Sequence, residues 1–271
     1  MRTPIGTGIF YPSNKSILKE ICRSMLNSKV ENFNSISALF VPNGRFDDFK
    51  DMYIQAYAHL LNIPESTSFI FISDNKMKQG KPVSISNEDW FTSLGKVTYD
   101  KDLGEQIKKH SSFAEFDISA HLFEYSIEIQ LPFIQSLANS PKMVAISIST
   151  SNESIVKDLV NSIQTSANTL NKNIVLISTC QMLRCRSSQE AELKTREIID
   201  IINSCDEYSE KKDSLFNYFL NEECMVNPTV FLVPLLYSLE SNFRPRILSQ
   251  KAIKTGVKDE IEVHLSIAYV K

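Results

Sequence analysis

The stretch ISALFVPNGRFDDF (residues 36–49) joins a strand-like apolar run to a polar turn. The run stops at Pro42, and Asn43, Gly44 and Arg45 follow at once. A nearly continuous apolar run predicts a strand that is covered on both faces of its sheet. In α/β proteins, functional side chains are often held in the turn that follows such a strand.

Three further segments repeat this pattern, at residues 69–72 (FIFI), 143–148 (MVAISI) and 174–177 (IVLI). Between the four segments, apolar residues recur at helical spacing. A capping box formed by Ser187 and Glu190 predicts the start of one of the helices. The helical stripes are formed by Leu18, Ile21, Cys22, Met25 and Leu26; by Tyr53, Ala56, Tyr57, Leu60 and Leu61; by Ile155, Leu159 and Ile163; and by Leu193, Ile198, Ile201 and Ile202.

Buried strands that are separated by helices indicate a sheet packed between two helical layers. We therefore predict an α/β fold, a three-layer α/β/α domain with a mostly parallel central sheet. The segment EVHLSIAYVK (residues 262–271) alternates apolar and polar residues, which predicts a late strand. No repeat, low-complexity tract or linker divides the sequence, so we expect a single domain over residues 1–271.

The composition argues against several classes of protein. The chain has 29 Lys and Arg residues against 32 Asp and Glu residues, and this net charge of −3 disfavours a nucleic-acid binder. No apolar run is long enough to span a bilayer, and Pro and Gly interrupt the first residues too often for a signal peptide. The 5 cysteines form no CxxC pair and predict reduced thiols in a cytoplasmic or nuclear protein.

The sequence offers little material for a standard catalytic site. Its 4 histidines form no HxH or HExxH pattern, and its 7 glycines form no phosphate-binding loop. The four-residue gap between Cys180 and Cys185 is not a redox motif. The turns after the predicted strands are polar but poor in acid–base groups and metal ligands.

Several segments together resemble the Memo family, whose fold is similar to the LigB-like class III extradiol dioxygenases. RTPIGTGIFYPSNKSIL (residues 2–18) resembles the opening of the family, and LGKVTYD (residues 94–100) resembles a later run. The strongest likeness is AHLFEYSIEIQLPFIQ (residues 120–135), set against the family pattern Ala-His-x-x-Glu-His-Ser-Ile-Glu-x-Gln-Leu-Pro-Phe. Weaker similarity extends over nearly the whole chain. The resemblance therefore implies a Memo-like, LigB-like fold.

The resemblance also implies where the metal site of the family would lie. Its first metal-binding histidine corresponds to Asn43, in VPNGRF, and its second corresponds to Lys76. Its cysteine ligand is kept as Cys224. The histidine of its Glu-His-Ser motif has become Tyr125, and its Ser-Ser-Asp-x-x-His segment has become residues 178–183, which lack both Asp and His.

These replacements predict that metal binding and catalysis have been lost. A carboxamide and an ammonium are poor substitutes for two imidazoles around a borderline metal. We therefore expect no metal ligand set and no cofactor, with His121 and Cys224 as weak catalytic candidates. The former metal pocket is predicted to be lined by Asn43, Arg45, Lys76, His121, Tyr125, Cys180 and Cys224.

Three functional hypotheses follow from this pattern. In the first, the protein is a pseudoenzyme that acts as a scaffold or interaction subunit in a protein assembly. In the second, it is a residual metal-dependent redox enzyme or dioxygenase-like protein that uses Cys224 and His121 with copper, iron or zinc. In the third, the former pocket binds an acidic or phosphorylated peptide, because four basic side chains are expected around it. Those side chains are Arg45, Lys76, Lys78 and Arg184.

Overall fold

The structure is a computed structural model that describes residues 1–31, 33–204 and 208–271, with the backbone alone for residues 208–214. Cys205, one of the cysteines predicted to be reduced, lies outside the described residues. The four described cysteines are free thiols, and all of them are buried.

A large mixed sheet forms the centre of the molecule. Its strand order is β10-β11-β1-β8-β2-β7-β3-β6, with β4, β5 and β9 paired beside this path. The strands in chain order are β1 (Ile36–Val41), β2 (Ser68–Asp74), β3 (Val83–Ser86), β4 (Trp90–Thr92), β5 (Gly95–Tyr99), β6 (Ala114–Phe116), β7 (Lys142–Ile148), β8 (Ile174–Thr179), β9 (Leu183–Cys185), β10 (Arg244–Lys254) and β11 (Ile261–Val270).

Helices cover both faces of this sheet. One face packs against α1, α2 and α4, and the other packs against α3, α5, α6, α7 and α8. The helices are α1 (Lys15–Arg23), α2 (Phe46–Ala58), α3 (Lys101–His110), α4 (Leu131–Leu137), α5 (Glu153–Leu170), α6 (Ser188–Asn203), α7 (Tyr208–Asn221) and α8 (Pro228–Glu240).

The four apolar segments of the sequence form the centre of the sheet. They are β1, β8, β2 and β7, and each is parallel to its neighbour in this order. Both Val41 of β1 and Ser73 of β2 lie opposite Thr179 of β8. Because these strands end level with one another, the turns that follow them meet at one edge of the sheet.

The three-layer α/β prediction is confirmed. The parallel strands are confined mainly to the centre, because β11 and β3 join the two sides of the parallel group in antiparallel orientation. The predicted late strand is β11. The predicted N-cap is formed, since the Ser187 hydroxyl accepts from Glu190 N at 3.1 Å, whereas the Glu190 carboxylate accepts from Arg186 N rather than from Ser187 N. Among the described residues, no helix is both long and apolar enough to cross a membrane.

A buried ion pair fastens the start of the chain to the body of the protein. The Arg2 guanidinium lies 2.8 Å from a carboxylate oxygen of Glu128, and both side chains are almost completely buried. Arg2 also packs 3.9 Å from the ring centre of Trp90. Glu128 accepts further hydrogen bonds from Ile5 N, Gly6 N and the Tyr11 hydroxyl. Such a pair is stable only because these additional donors satisfy the buried carboxylate.

Candidate functional site

The site lies at the edge of the sheet where β1, β2 and β8 end. Asn43 follows β1, Lys76 follows β2, and Cys180 follows β8 directly. Asn43 and Cys180 are buried, whereas Lys76 is partly buried. The structure therefore brings three of the predicted pocket residues to one edge, as the parallel strand ends require.

Asn43 is held by the segment that carries the strongest family likeness. Its side-chain N–H donates to Ser126 Oγ at 2.6 Å. The backbone N–H of Ser126 in turn donates to Glu124 Oε1 at 2.5 Å. Asn43 Oδ1 is buried and has no hydrogen-bond partner within the described part of the chain. The side-chain amide of Asn43 therefore donates to the neighbouring segment.

Lys76 and Tyr125, at two positions where the family resemblance implies histidines, contact each other. Lys76 Nζ lies 3.4 Å from the Tyr125 hydroxyl oxygen and 5.3 Å from its ring centre. The Tyr125 ring stacks on Phe10, with 3.8 Å between centroids and 16° between planes. This arrangement gives the ammonium a hydrogen-bond acceptor and an aromatic face, which are both favourable partners for a cation.

Two carboxyl groups balance the charge of Lys76. Burial raises the pKa of Asp74, while Asn227 and then the positive charge of Lys76 act against this rise. Burial likewise raises the pKa of Glu124, and its hydrogen bonds from Ser126 and the charge of Lys76 again oppose it. Asn227 Nδ2 donates to Asp74 Oδ1 at 2.7 Å. The region around Lys76 is therefore mixed in charge, with the partly buried Asp74 and the buried Glu124 both within its electrostatic influence.

The four basic residues expected at the pocket mouth are not equivalent. The positive charges of Lys76, Arg184 and Lys78 all act to lower the pKa of Asp74. Arg184 is also engaged by two glutamates of or near β11, at 3.0 Å from Glu262 and 3.8 Å from Glu260. Arg45 is largely exposed, and the ion pair it makes with Asp47 is also exposed.

His121 lies at the other side of this segment, in a short 3₁₀ helix (Ser119–His121). Its Nε2 is 3.1 Å from the carbonyl oxygen of Ser84, and its ring meets the edge of Trp90 at 5.7 Å between centroids. Burial lowers the pKa of His121 to about 4. The imidazole is therefore neutral near pH 7 and serves to hold this segment against β3.

Cys224 contacts a different group of residues from those around Asn43. Its thiol lies with Cys185 and Glu190, and donor atoms of all three side chains are within 4.8 Å of one another. Cys180, by contrast, is enclosed near Asp74 and Lys76, and burial raises the pKa of its thiol strongly. The structure thus places Cys185 beside Cys224, a proximity that the spacing of the cysteines in the sequence does not reveal.

The residues at the pocket do not fit the metal that the family resemblance implies. Zinc, copper and iron sites in proteins are built from thiolate, imidazole or carboxylate groups. Here the position of one ligand holds the Lys76 ammonium, which is directed at Tyr125. Another holds the Asn43 amide, which donates to Ser126. Cys224 is grouped instead with Cys185 and Glu190.

The sequence analysis missed several residues that shape this region. Arg2 and Glu128 fix the segment that carries His121, because Arg2 Nε also donates to the His121 carbonyl oxygen at 2.8 Å. Both could have been recognised from the sequence, because Arg2 lies in the family-like segment 2–18 and Glu128 lies in the family-like segment 120–135. Glu262 and His264 of β11 were also missed. They are two positions apart in an alternating strand, so their side chains share one face, where Nε2 of His264 lies 3.6 Å from Glu262.

Comparison with known proteins supports the likeness over most of the chain. A family model described as Memo-like protein matches residues 2–242. A MEMO1 family protein of Methanobrevibacter smithii is 27% identical over 220 residues, covering 77% of this chain and 78% of its own. A MEMO1 family protein of Desulfurococcus amylolyticus is 27% identical over 238 residues, which cover 83% of this chain and 82% of the relative.

Among solved structures, an uncharacterized protein from Escherichia coli K12 superposes with a TM-score of 0.46 at 14% identity, covering 86% of this chain and 99% of its own. The match of the family model extends over far more than half of the sequence. The matched residues include the family-like segments that carry Arg2 and Glu128, which are bonded to each other, and Ser126, which accepts from Asn43. The chain therefore belongs to the Memo-like protein family.

Proposed function

We propose that this protein, as one Memo-like domain over residues 1–271, has lost metal-dependent catalysis and acts as an interaction subunit of a protein assembly. The observation that carries this proposal is the contact between Lys76 and Tyr125, at 3.4 Å, in place of two family histidines. An ammonium repels a metal cation and donates no electron pair to it while it remains protonated. Lys76 is thus bonded to Tyr125, and Asn43 is bonded to Ser126, where metal ligands are expected.

The remaining acid–base groups also support a pseudoenzyme. His121 is buried and neutral, with its Nε2 directed at a backbone carbonyl oxygen. Glu124 accepts the backbone N–H of Ser126, as a group that stabilises a turn would do. A general base must reach a substrate proton within hydrogen-bonding distance. His121 and Glu124 are both buried, and each is already hydrogen-bonded to the backbone, so neither is placed to take a proton from a substrate.

An exposed apolar segment supports the interaction role. Ile118, Leu122 and Phe123 are 42%, 49% and 61% exposed, and they follow β6, which ends the strand order of the sheet. Phe113 and Phe116 of the same segment are more than one-third exposed. Large apolar side chains that cluster on a surface often mark a protein–protein interface. We propose another protein subunit as the partner, in the cytoplasm or nucleus.

The redox alternative would require His121 and Cys224 to share a ligand shell. The contacts of His121 are with Ser84, Trp90 and Arg2, whereas those of Cys224 are with Cys185 and Glu190. These two sets have no residue in common. The geometry therefore favours the pseudoenzyme over a metal-dependent dioxygenase that uses both residues.

The peptide-binding alternative is supported by the positive charges of Lys76, Arg184 and Lys78, which all act on Asp74. An acidic or phosphorylated peptide would have to compete with Asp74 and Glu262 for these charges. Calorimetry with inorganic phosphate and an acidic peptide tests it, using an Arg45→Ala, Lys76→Ala double variant. Binding that is lost in the double variant would support this alternative, and unchanged binding would exclude it.

Two measurements test the main proposal. Elemental analysis of the purified full-length chain, repeated on Asn43→Ala and Lys76→Ala variants, examines the former pocket. A redox metal whose retention depends on Asn43 or Lys76 would refute the loss of the inherited site. Affinity purification with quantitative mass spectrometry, comparing the wild type with a Leu122→Ser, Phe123→Ser variant, examines the interface. The proposal expects a stable partner that the variant no longer retains, with Leu193→Ser as the control for an exposed leucine elsewhere.

A further inference from the structure

Two cysteine thiols and one carboxylate lie close together, away from the residues of the former metal pocket. It consists of the thiols of Cys185 and Cys224 and the carboxylate of Glu190, with all donor atoms within 4.8 Å of one another. Both cysteines are buried, and Glu190 is partly exposed. Among the described residues, this is the one set of at least three His, Cys, Asp or Glu side chains that meets so closely.

The backbone holds the three residues from different elements. Cys185 ends β9 and lies opposite Ile261 of β11. The turn that carries Cys224 is bonded to the same strand, because Arg184 N donates to the Cys224 carbonyl oxygen at 2.7 Å. Glu190 lies in the first turn of α6, and its Oε2 accepts from Arg186 N at 2.6 Å. Ligands on such fixed elements form a preorganised site.

The electrostatic surroundings of the group favour a cation. Glu222 adds a second carboxylate, whose Oε1 accepts from Cys224 N at 3.2 Å. Lys194 lies 2.9 Å from the other oxygen of Glu222 and also pairs with Glu197. The charge of Lys194 is therefore already balanced by two glutamates. The charge of Glu190 and the charges of two thiolates would need an added cation to balance them.

We propose that Cys185, Cys224 and Glu190 bind one divalent cation of the zinc class. On binding, each thiol releases its proton to solvent as its sulfur bonds to the metal, and the carboxylate supplies the third ligand. Water completes the four ligands that zinc prefers. The cation would join β9, α6 and the turn before α8. This inference does not depend on the proposed function, since the ligand set shares only Cys224 with the site implied by the family.

Zinc and cobalt titrations of the full-length, reduced and chelator-treated protein test the inference. We expect one zinc ion per chain, and a thiolate-to-cobalt charge-transfer band when Co²⁺ replaces it. Cys185→Ser and Cys224→Ser should each weaken zinc binding by more than about 100-fold, because even changes outside the ligand shell typically cost about 10- to 100-fold. Glu190→Gln should weaken it while keeping the charge-transfer band. Cys22→Ser, which changes a buried cysteine of α1, is the matched control and should leave binding unchanged.

Circular dichroism and thermal unfolding with and without zinc show whether each variant folds. Zinc should raise the Tm of the wild type and of Cys22→Ser, but not of Cys185→Ser. Failure of the reduced wild type to bind zinc would overturn the inference and leave the proposed function intact. Zinc that is lost in Cys224→Ser but kept in Cys185→Ser would also overturn it. Zinc that instead depends on Asn43 would contradict both proposals.

Discussion

The ammonium of Lys76 lies 3.4 Å from the phenolic oxygen of Tyr125 and 5.3 Å from the centre of its ring. The family resemblance implies histidines at both positions, and here the two side chains contact each other directly. Burial raises the pKa of both Asp74 and Glu124, and the positive charge of Lys76 opposes this rise at each of them.

Removal of this charge should be detectable in the neighbouring acids. In Lys76→Met we expect the pKa values of Asp74 and Glu124 to rise above their wild-type values, because burial then acts without the opposing ammonium. Carbon-13 NMR titration of the two carboxyl groups measures this change. Lys50→Met, an exposed substitution on α2, should leave both pKa values unchanged. Equal pKa values in the wild type and Lys76→Met would show that the lysine does not act as their counterion.

The buried pair of Arg2 and Glu128 should be among the most sensitive points of the fold. Arg2→Met leaves the Glu128 carboxylate buried without its ionic partner, so we expect the free energy of unfolding to fall by about 3–5 kcal/mol. Urea unfolding measures the loss. An Arg2→Met, Glu128→Gln double variant should lose less than the sum of the single variants, because the two residues interact directly. Arg196→Met breaks an exposed pair with Glu192 and should have little effect.

His121 should make stability depend on pH. Its pKa is lowered from 6.5 to about 4 in the folded protein, so the unfolded chain binds the proton more readily between these values. Its contribution to stability is therefore complete above pH 6.5, decreases as the pH falls towards 4, and is lost below that. The total is about 3 kcal/mol by linkage.

His121→Gln keeps a donor for the Ser84 carbonyl oxygen but cannot titrate. We expect its free energy of unfolding, measured by urea at a series of pH values, to fall less steeply than that of the wild type in this range. His110→Gln, at the end of α3, is the control and should retain the wild-type slope. Proton NMR of the His121 ring checks the cause directly, and titration near its ordinary pKa would contradict this account.

Gly44, in the turn after β1, should not tolerate a side chain. A Cβ there would lie 2.3 Å and 2.5 Å from two ring atoms of Phe49, which is itself buried. Gly44→Ala should therefore lower the free energy of unfolding by about 1–3 kcal/mol through overpacking. Gly256→Ala, where nothing lies within 4 Å of the new atom, is the matched control. Denaturant unfolding of both variants distinguishes a steric clash from a general cost of replacing glycine.

The central strands could be predicted because local composition determined them. β1, β2, β7 and β8 are buried on both faces and therefore form continuous apolar runs. β3 contains alternating serines, and β10 alternates toward solvent with arginine and lysine, so neither has that signal. β3 pairs with β7, which lies far away in the sequence, and β10 pairs with β11, the next strand along the chain, so the pairing rather than the composition of each segment makes it a strand.

In the candidate sites, too, some features can be read from the sequence and others depend on how the chain folds. The replacements that we expect at Asn43 and Lys76 can be read from the sequence, because family-like segments surround both positions and allow the comparison. The grouping of Cys224 with Cys185 and Glu190 is not visible, since it requires β9, α6 and the turn before α8 to meet. The burial of Arg2 was equally hidden, because an arginine is expected at the surface unless a partner such as Glu128 is known.

The position of β1 has a consequence for folding during synthesis. Its two neighbours are β8 and β11, and Ile36 is paired with Val270. An apolar strand made early therefore leaves the ribosome long before either neighbour has been translated. Strands whose partners are distant form late and are prone to associate with other chains while they wait. We expect this protein to need protection by a chaperone until translation has passed β11, and to gain its sheet in one late step.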